Sequence, residues 1–148
     1  MKILHVVASY LPAVRYGGTI VSVHGLCRAL ARRGHDVHVF TTSVDGPKDS
    51  AVPHNTAVEM DGVKVWYFQS QRARRLYFAP PLAGMLRSHV REFAVVHTHA
   101  IYLWPLWIAA RSAQAAGVPY VVSPRGMLEK ELIESKSLLW KAALIGFF

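Results

Sequence analysis

Residues 2–42 constrain the fold more than any other stretch, because three patterns follow one another there without interruption. The run KILHVVA, residues 2–8, is short and almost wholly apolar, as in a strand covered on both faces. From Thr19 the apolar residues Ile20, Val23, Cys27, Leu30 and Ala31 recur at intervals of three and four, which marks one helix face. Arg28, Arg32 and Arg33 fall near the negative end of that helix, and Gly34 supplies its stop. HDVHVFTT, residues 35–42, reads as a second strand. A strand–helix–strand opening of this kind implies parallel strands with the helix laid across the sheet.

The rest of the chain follows the same grammar. Residues 43–56 are rich in Ser, Pro, Asp and Gly and read as a loop. AVEMDGVKVWYF, residues 57–68, predicts a hairpin turning at Asp61-Gly62. QSQRARRLYF is a basic connector, and Pro80-Pro81 opens a helix with Leu82, Met85, Leu86, Val90 and Phe93 on its buried side. AVVHTHA is a strand, LWPLWIAARSAQAAG a helix ended by Gly117, and VPYVVSP a further strand. The final segment from Arg125 reads as a loop running into helix. The expected fold is α/β, with a doubly wound, mainly parallel sheet and helices on both faces. Ligands of such sheets sit beyond the carboxyl ends of the strands. The loops after Ala8, Val96 and Val122 therefore matter most.

Composition narrows the class. The 148 residues are 52% hydrophobic and 18% charged, which excludes a disordered chain. Lys and Arg number 17 against 9 acids, a net +8 that suits an anionic partner: nucleic acid, phosphorylated metabolite or membrane. Cys27 stands alone, so no internal disulfide exists and a reducing cytoplasm fits. No apolar run is long enough to cross a membrane, and His5 interrupts what would otherwise mimic a signal peptide. The apolar SLLWKAALIGFF at the C-terminus reads as an element cut short or built to pack on something absent.

Each of the three loops carries polar chemistry. Gly17-Gly18 precedes a helix N-terminus, where unpaired amides and the positive helix end favour an anion and a bare backbone lets a ligand approach. The alternative is an ordinary turn and cap. No G-x-G-x-x-G and no P-loop lysine occurs there. In VVHTHAIYLWP, His97 and His99 alternate along one strand. Two histidines fall short of a metal site, so His97 reads as a satisfied strand residue and His99, further out, as a polar active-site group. In SPRGMLEKE, Arg125 can fork onto a carboxylate or phosphate or merely brace a loop, with Ser123 and Gly126 beside it. Glu129 and Glu131 lie on different sides of a helix start, which suits the helix dipole better than paired acid/base work. The arginines at 72, 74 and 75 read as a solvated loop, and Trp104 and Trp107 as core.

Taken in order, the opening 42 residues, RRGHDVHVFTT, VVHTHAIYLWPLWIAA and GVPYVVSPRGMLEKE resemble retaining glycosyltransferases of the GT4 type, over about residues 2–145. The resemblance implies the Rossmann-like, acceptor-side N-terminal half of a GT-B fold spanning residues 1–148. The donor half, with its Glu-x₇-Glu motif, is expected to be missing, so that the chain is a truncated piece with little activity alone. It implies a nucleotide-sugar as donor substrate, a glycan or lipid-linked acceptor in bacterial envelope polysaccharide synthesis, and no metal or other cofactor. Gly17 and Gly18 would face the donor diphosphate, and His99 would touch the sugar as the catalytic position. Arg15, Ser123, Arg125 and Gly126 would line the acceptor side of the cleft. A cytoplasmic location is implied, with peripheral contact at the anionic inner face of the plasma membrane and no nucleic acid. The alternative is a non-catalytic acceptor-binding or scaffold subunit that needs a separate donor-domain chain.

Overall fold

The computed structural model describes residues 1–128. In chain order the elements are β1 (Lys2–Ser9), α1 (Gly18–Arg32), β2 (Asp36–Thr42), the short β3 (Val44–Asp45) and β4 (Lys48–Asp49), β5 (Ala57–Met60) and β6 (Val63–Phe68). They are followed by α2 (Pro80–His89), β7 (Val95–His99), α3 (Trp104–Ala116) and β8 (Tyr120–Ser123). Six strands form one sheet in the order β5-β6-β2-β1-β7-β8. All neighbours pair in parallel except the edge hairpin β5–β6. The expected α/β doubly wound sheet is therefore present. The apolar tail and the helix start with Glu129 and Glu131 lie outside the described residues.

β1 sits at the centre because its residues past Lys2 are apolar apart from His5 and Ser9. Every residue from Ile3 to Ser9 is buried. Its alternation divides two cores. Leu4 and Val6 face one side with Phe40, Phe68 and Val96, where Leu82 and Leu86 of α2 and Leu106, Ala109 and Ala113 of α3 close over them. Val7 faces the other side with Val37, Val39, Val63 and Val65, covered by Val23 and Cys27 of α1. Helices thus cover both faces.

The hairpin turns where expected. Asp61 and Gly62 both take positive φ, 52° and 78°, as a two-residue hairpin turn of the favoured hand requires. That turn is tied to α1 by a chain in which the Tyr10 hydroxyl meets His24 Nδ1 at 2.8 Å and His24 Nε2 meets Asp61 Oδ2 at 2.9 Å.

Two expectations need correction. Residues 43–56 are not all loop, since β3 and β4 form a small antiparallel ribbon. The basic connector is not uniformly solvated either. Arg72 and Arg75 are exposed. Arg74 instead donates to Asp49 Oδ1 and the Lys48 carbonyl, both at 2.7 Å, and to the Ser70 and Gly46 carbonyls at 3.3 Å. Its planar fork of donors staples the ribbon to the connector. Trp104, half-buried, packs against the larger core as expected, and Trp107 is half-buried as well. Trp104 meets Phe78 edge-on, and Trp107 lies under the Arg111 guanidinium at 5.6 Å.

Leu106 is fully buried between α3 and the sheet, whereas Val121 on the edge strand is 49% exposed. Leu106→Ala is expected to lower the unfolding free energy by about 2–5 kcal/mol and Val121→Ala by less than about 1 kcal/mol. Urea titration followed by circular dichroism measures both.

Candidate functional site

The chain runs outward from β1 to β2 and β6 on one side, then returns to β7 and β8 on the other. The reversal opens a crevice beyond the carboxyl ends of β1 and β7, where ligands of such sheets bind. A cavity of ≈ 270 Å³ lies there, lined among others by Ser9, Tyr16, Thr19, Tyr77, His99 and Met127.

The start of α1 forms one wall. Gly17 is its N-cap at φ 81° and ψ −154°, a conformation open essentially to glycine alone. Gly18 is the first helical residue, and a Cβ built on it would meet nothing within 4 Å. Internal packing therefore does not demand glycine at 18, and the space over this backbone is empty. No side chain caps the helix, and its first turn holds no acid. Its positive end is left for an anion.

The floor is a histidine cluster. Parallel pairing sets His5 of β1 opposite His97 of β7, and His99 follows on the same face. His5 Nδ1 lies 2.9 Å from His99 Nε2, and His97 Nε2 lies 2.7 Å from Ser123 Oγ. Arg125 reaches back from the loop after β8, placing Nη2 3.1 Å from His99 Nδ1 and Nη1 3.3 Å from Ser22 Oγ on α1.

The guanidinium settles the protons. Arginine only donates, so His99 Nδ1 accepts and the neutral ring carries its proton on Nε2. That proton is donated to His5 Nδ1, which leaves the His5 proton on Nε2. The His5 Nε2 atom is buried and has no partner among the described residues. An orphaned buried donor costs about 1–3 kcal/mol, so the arrangement is not one that stability alone favours.

Burial, reinforced by His97 and Arg125, lowers the pKa of His5 to about 3. Burial, with His97, His5 and Arg125 adding, lowers that of His99 to about 2. His97 is shifted down in the same sense, first by burial and then by Arg125. The cavity wall at Tyr77 is also kept neutral, its hydroxyl pushed up to about 12 by burial first and then by hydrogen bonding with Tyr16.

The family model of the glycosyl transferase 4-like domain matches residues 17–145, across the α1 start, the histidine strand and the Arg125 loop. The chain belongs to this family. A search of curated proteins found no match to it. As a glycosyl transferase 4-like domain, the chain presents the Rossmann-like half of a GT-B fold, and it is a transferase-type domain.

Of the residues singled out in sequence, the fold of this glycosyl transferase 4-like domain brings His99, Ser123 and Arg125 into one cluster. Gly17 and Gly18 adjoin the same cavity through Tyr16 and Thr19. Gly126 follows Arg125, with φ 82° after φ 54°. Arg15 goes elsewhere, with Nε 3.6 Å from Asp45 Oδ1, beside a separate ≈ 450 Å³ hollow along the β3–β4 ribbon. His99 is not an outlying group. It is 1% exposed, with both ring nitrogens engaged by the protein. His97 is half-buried and satisfied by Ser123, as its place in the strand suggested. His5 and Ser22 were missed. For His5 there was a signal, the one polar residue inside the otherwise apolar ILHVVA.

The depressed histidines make stability fall in acid. Unfolded, each binds a proton around its ordinary value of 6.5, while folded His5 resists to about 3 and His99 to about 2. Above pH 6.5 they leave stability unaffected. As pH falls from 6.5 toward 3 the unfolded chain gains protons that the fold refuses, and stability declines. His5→Gln is expected to flatten that decline, measured as urea midpoints between pH 7 and pH 4.

Proposed function

We propose that this glycosyl transferase 4-like domain is the acceptor-side half of a retaining, nucleotide-sugar-dependent glycosyltransferase. It hands a sugar to a glycan or lipid-linked acceptor in bacterial envelope polysaccharide synthesis. One observation carries the reading: the residues flanking an uncapped, acid-free helix start at Gly17-Gly18, namely Tyr16, Thr19 and Ile20, line the same cavity as His99. A departing diphosphate gains negative charge as the sugar bond breaks. Fixed amides and a positive helix end lower the energy of that state without reorganising.

In this reading His99 works through exchange of partners. Its Nδ1 already presents a lone pair, now occupied by Arg125. A sugar hydroxyl donating to Nδ1 takes the place of the guanidinium, and Arg125 is released toward phosphate or acceptor oxygens. The Nε2–H bond to His5 stays intact and keeps the ring oriented. Transfer then needs no metal, and the donor half is supplied by a further segment or chain.

The decisive assay follows labelled sugar from a panel of nucleotide-sugars into membrane-extracted acceptor, with this domain joined to its donor half. Turnover is expected, and His99→Ala is expected to reduce it at least tenfold with an unchanged circular dichroism spectrum. Undiminished turnover in His99→Ala would take that residue out of the chemistry. The described residues hold a single six-stranded Rossmann-like sheet beside the small β3–β4 ribbon, so a scaffold subunit is the second reading. Acceptor binding with no turnover under any pairing would favour it.

A cytoplasmic site at the anionic inner face of the membrane completes the proposal. No helix among the described residues is long and apolar enough to cross a membrane. A groove of ≈ 540 Å³ between α2 and α3 is lined by Arg87, Arg91 and Arg111 beside Trp107 and Ile108. Cationic and aromatic side chains in one open groove suit an anionic lipid surface. Arg87→Glu combined with Arg91→Glu should abolish flotation with phosphatidylglycerol vesicles at low salt, while leaving phosphatidylcholine vesicles unbound as before.

A further inference from the structure

We propose that His5, His97 and His99 form a binding site for a single Zn²⁺ ion, and that Arg125 competes with the metal for it. The ligand nitrogens of the three rings lie within 4.8 Å of one another. Tetrahedral zinc at about 2.0–2.1 Å from each nitrogen sets them about 3.3–3.4 Å apart. Rotations of the rings close that difference without moving the strands. The His5 Nδ1 to His99 Nε2 separation of 2.9 Å is already shorter than the metal needs, so those two rings part slightly while His97 comes in.

The strands hold the three ligands where a metal wants them. His5 and His97 are paired across adjacent parallel strands, and His99 is two residues on along the same face. Ring centroids stand 4.1 Å apart for His97 and His99, and 5.1 Å and 5.2 Å from His5 to each of them. Ser123 Oγ, already on His97 Nε2, stands beside the cluster, and a water can take a fourth position. Three imidazoles, with no carboxylate joining them among the described residues, select a borderline metal over Mg²⁺ or Ca²⁺, which require oxygen ligands.

Arg125 gives the site its control. Zinc on His99 Nε2 forces the ring proton to Nδ1, where it meets the N–H of Arg125 head-on. The guanidinium also repels a dication. Arg125 is exposed, so it can leave for solvent. Metal and guanidinium therefore exclude one another at His99. Because zinc on Nε2 moves the ring proton to Nδ1 and so removes the lone pair a sugar hydroxyl would donate to, the metal acts as a brake on the transfer proposed above, though its binding does not depend on that reading.

The test titrates the untagged full chain with Zn²⁺ against a chromogenic chelator, with Mg²⁺ as the control and Co²⁺ as a visible probe of tetrahedral nitrogen ligation. One equivalent is expected to bind at micromolar Kd or tighter. His97→Ala, the least buried ligand, is expected to weaken binding roughly tenfold or more. Arg125→Ser is expected to tighten it several-fold. Circular dichroism confirms that both variants fold. Kd weaker than about 100 µM, or His97→Ala indistinguishable from the parent, overturns the site. Unchanged or weaker binding in Arg125→Ser overturns the competition. Since no sugar enters this experiment, zinc binding without transfer would sink the transferase reading alone, and transfer without zinc binding would sink the metal site alone.

Discussion

The structure depends on the burial of β1. A strand covered on both faces can hydrogen-bond only sideways, so it must find parallel partners on each edge, β2 and β7. Those partners force the chain to leave in one direction and come back in the other, and that reversal makes the crevice. The apolar alternation of β1 also divides the molecule into its two cores. A polar substitution in Leu4 or Val6 would therefore disturb pairing, core and crevice together.

His5 shows what this arrangement costs. An imidazole in the centre of a buried strand loses its hydration, and among the described residues only one of its nitrogens finds a partner. His97 and Arg125 make protonation harder still. Three neutral rings facing an always-charged guanidinium create a direction for hydrogen bonds, from Arg125 through His99 to His5. Directional chains of this sort fix tautomers, and a fixed tautomer presents the same lone pair each time the outer partner is exchanged.

Much of the fold was legible because its signals are local. The interval of three and four from Ile20 to Cys27, the Asp61-Gly62 turn and the Gly117 stop act within a few residues. The site was only partly legible because its contacts are not local. His97 and His99 were visible as a pair, but their third neighbour lies in another strand, brought in by the β1–β7 register. The engagement of both His99 nitrogens was equally invisible, since one partner is Arg125 and the other His5. Arg15, which the resemblance put on the acceptor side of the cleft, lies beside Asp45 at the ribbon. Arg74 looked like one solvated cation among several, and only the β3–β4 ribbon reveals its four acceptors.

The pairing of His5 with His99 spans 94 residues of chain. No short peptide spans the cluster, and no single helix or hairpin assembles it. Such a contact waits on closure of a long loop, an entropic cost met late in folding. The ring environment of His99 is thus a clock for the whole domain: a signal from that imidazole marks the moment when the central ladder has joined. Anything that binds there and not to the unfolded chain adds its own binding energy to the stability of the entire sheet.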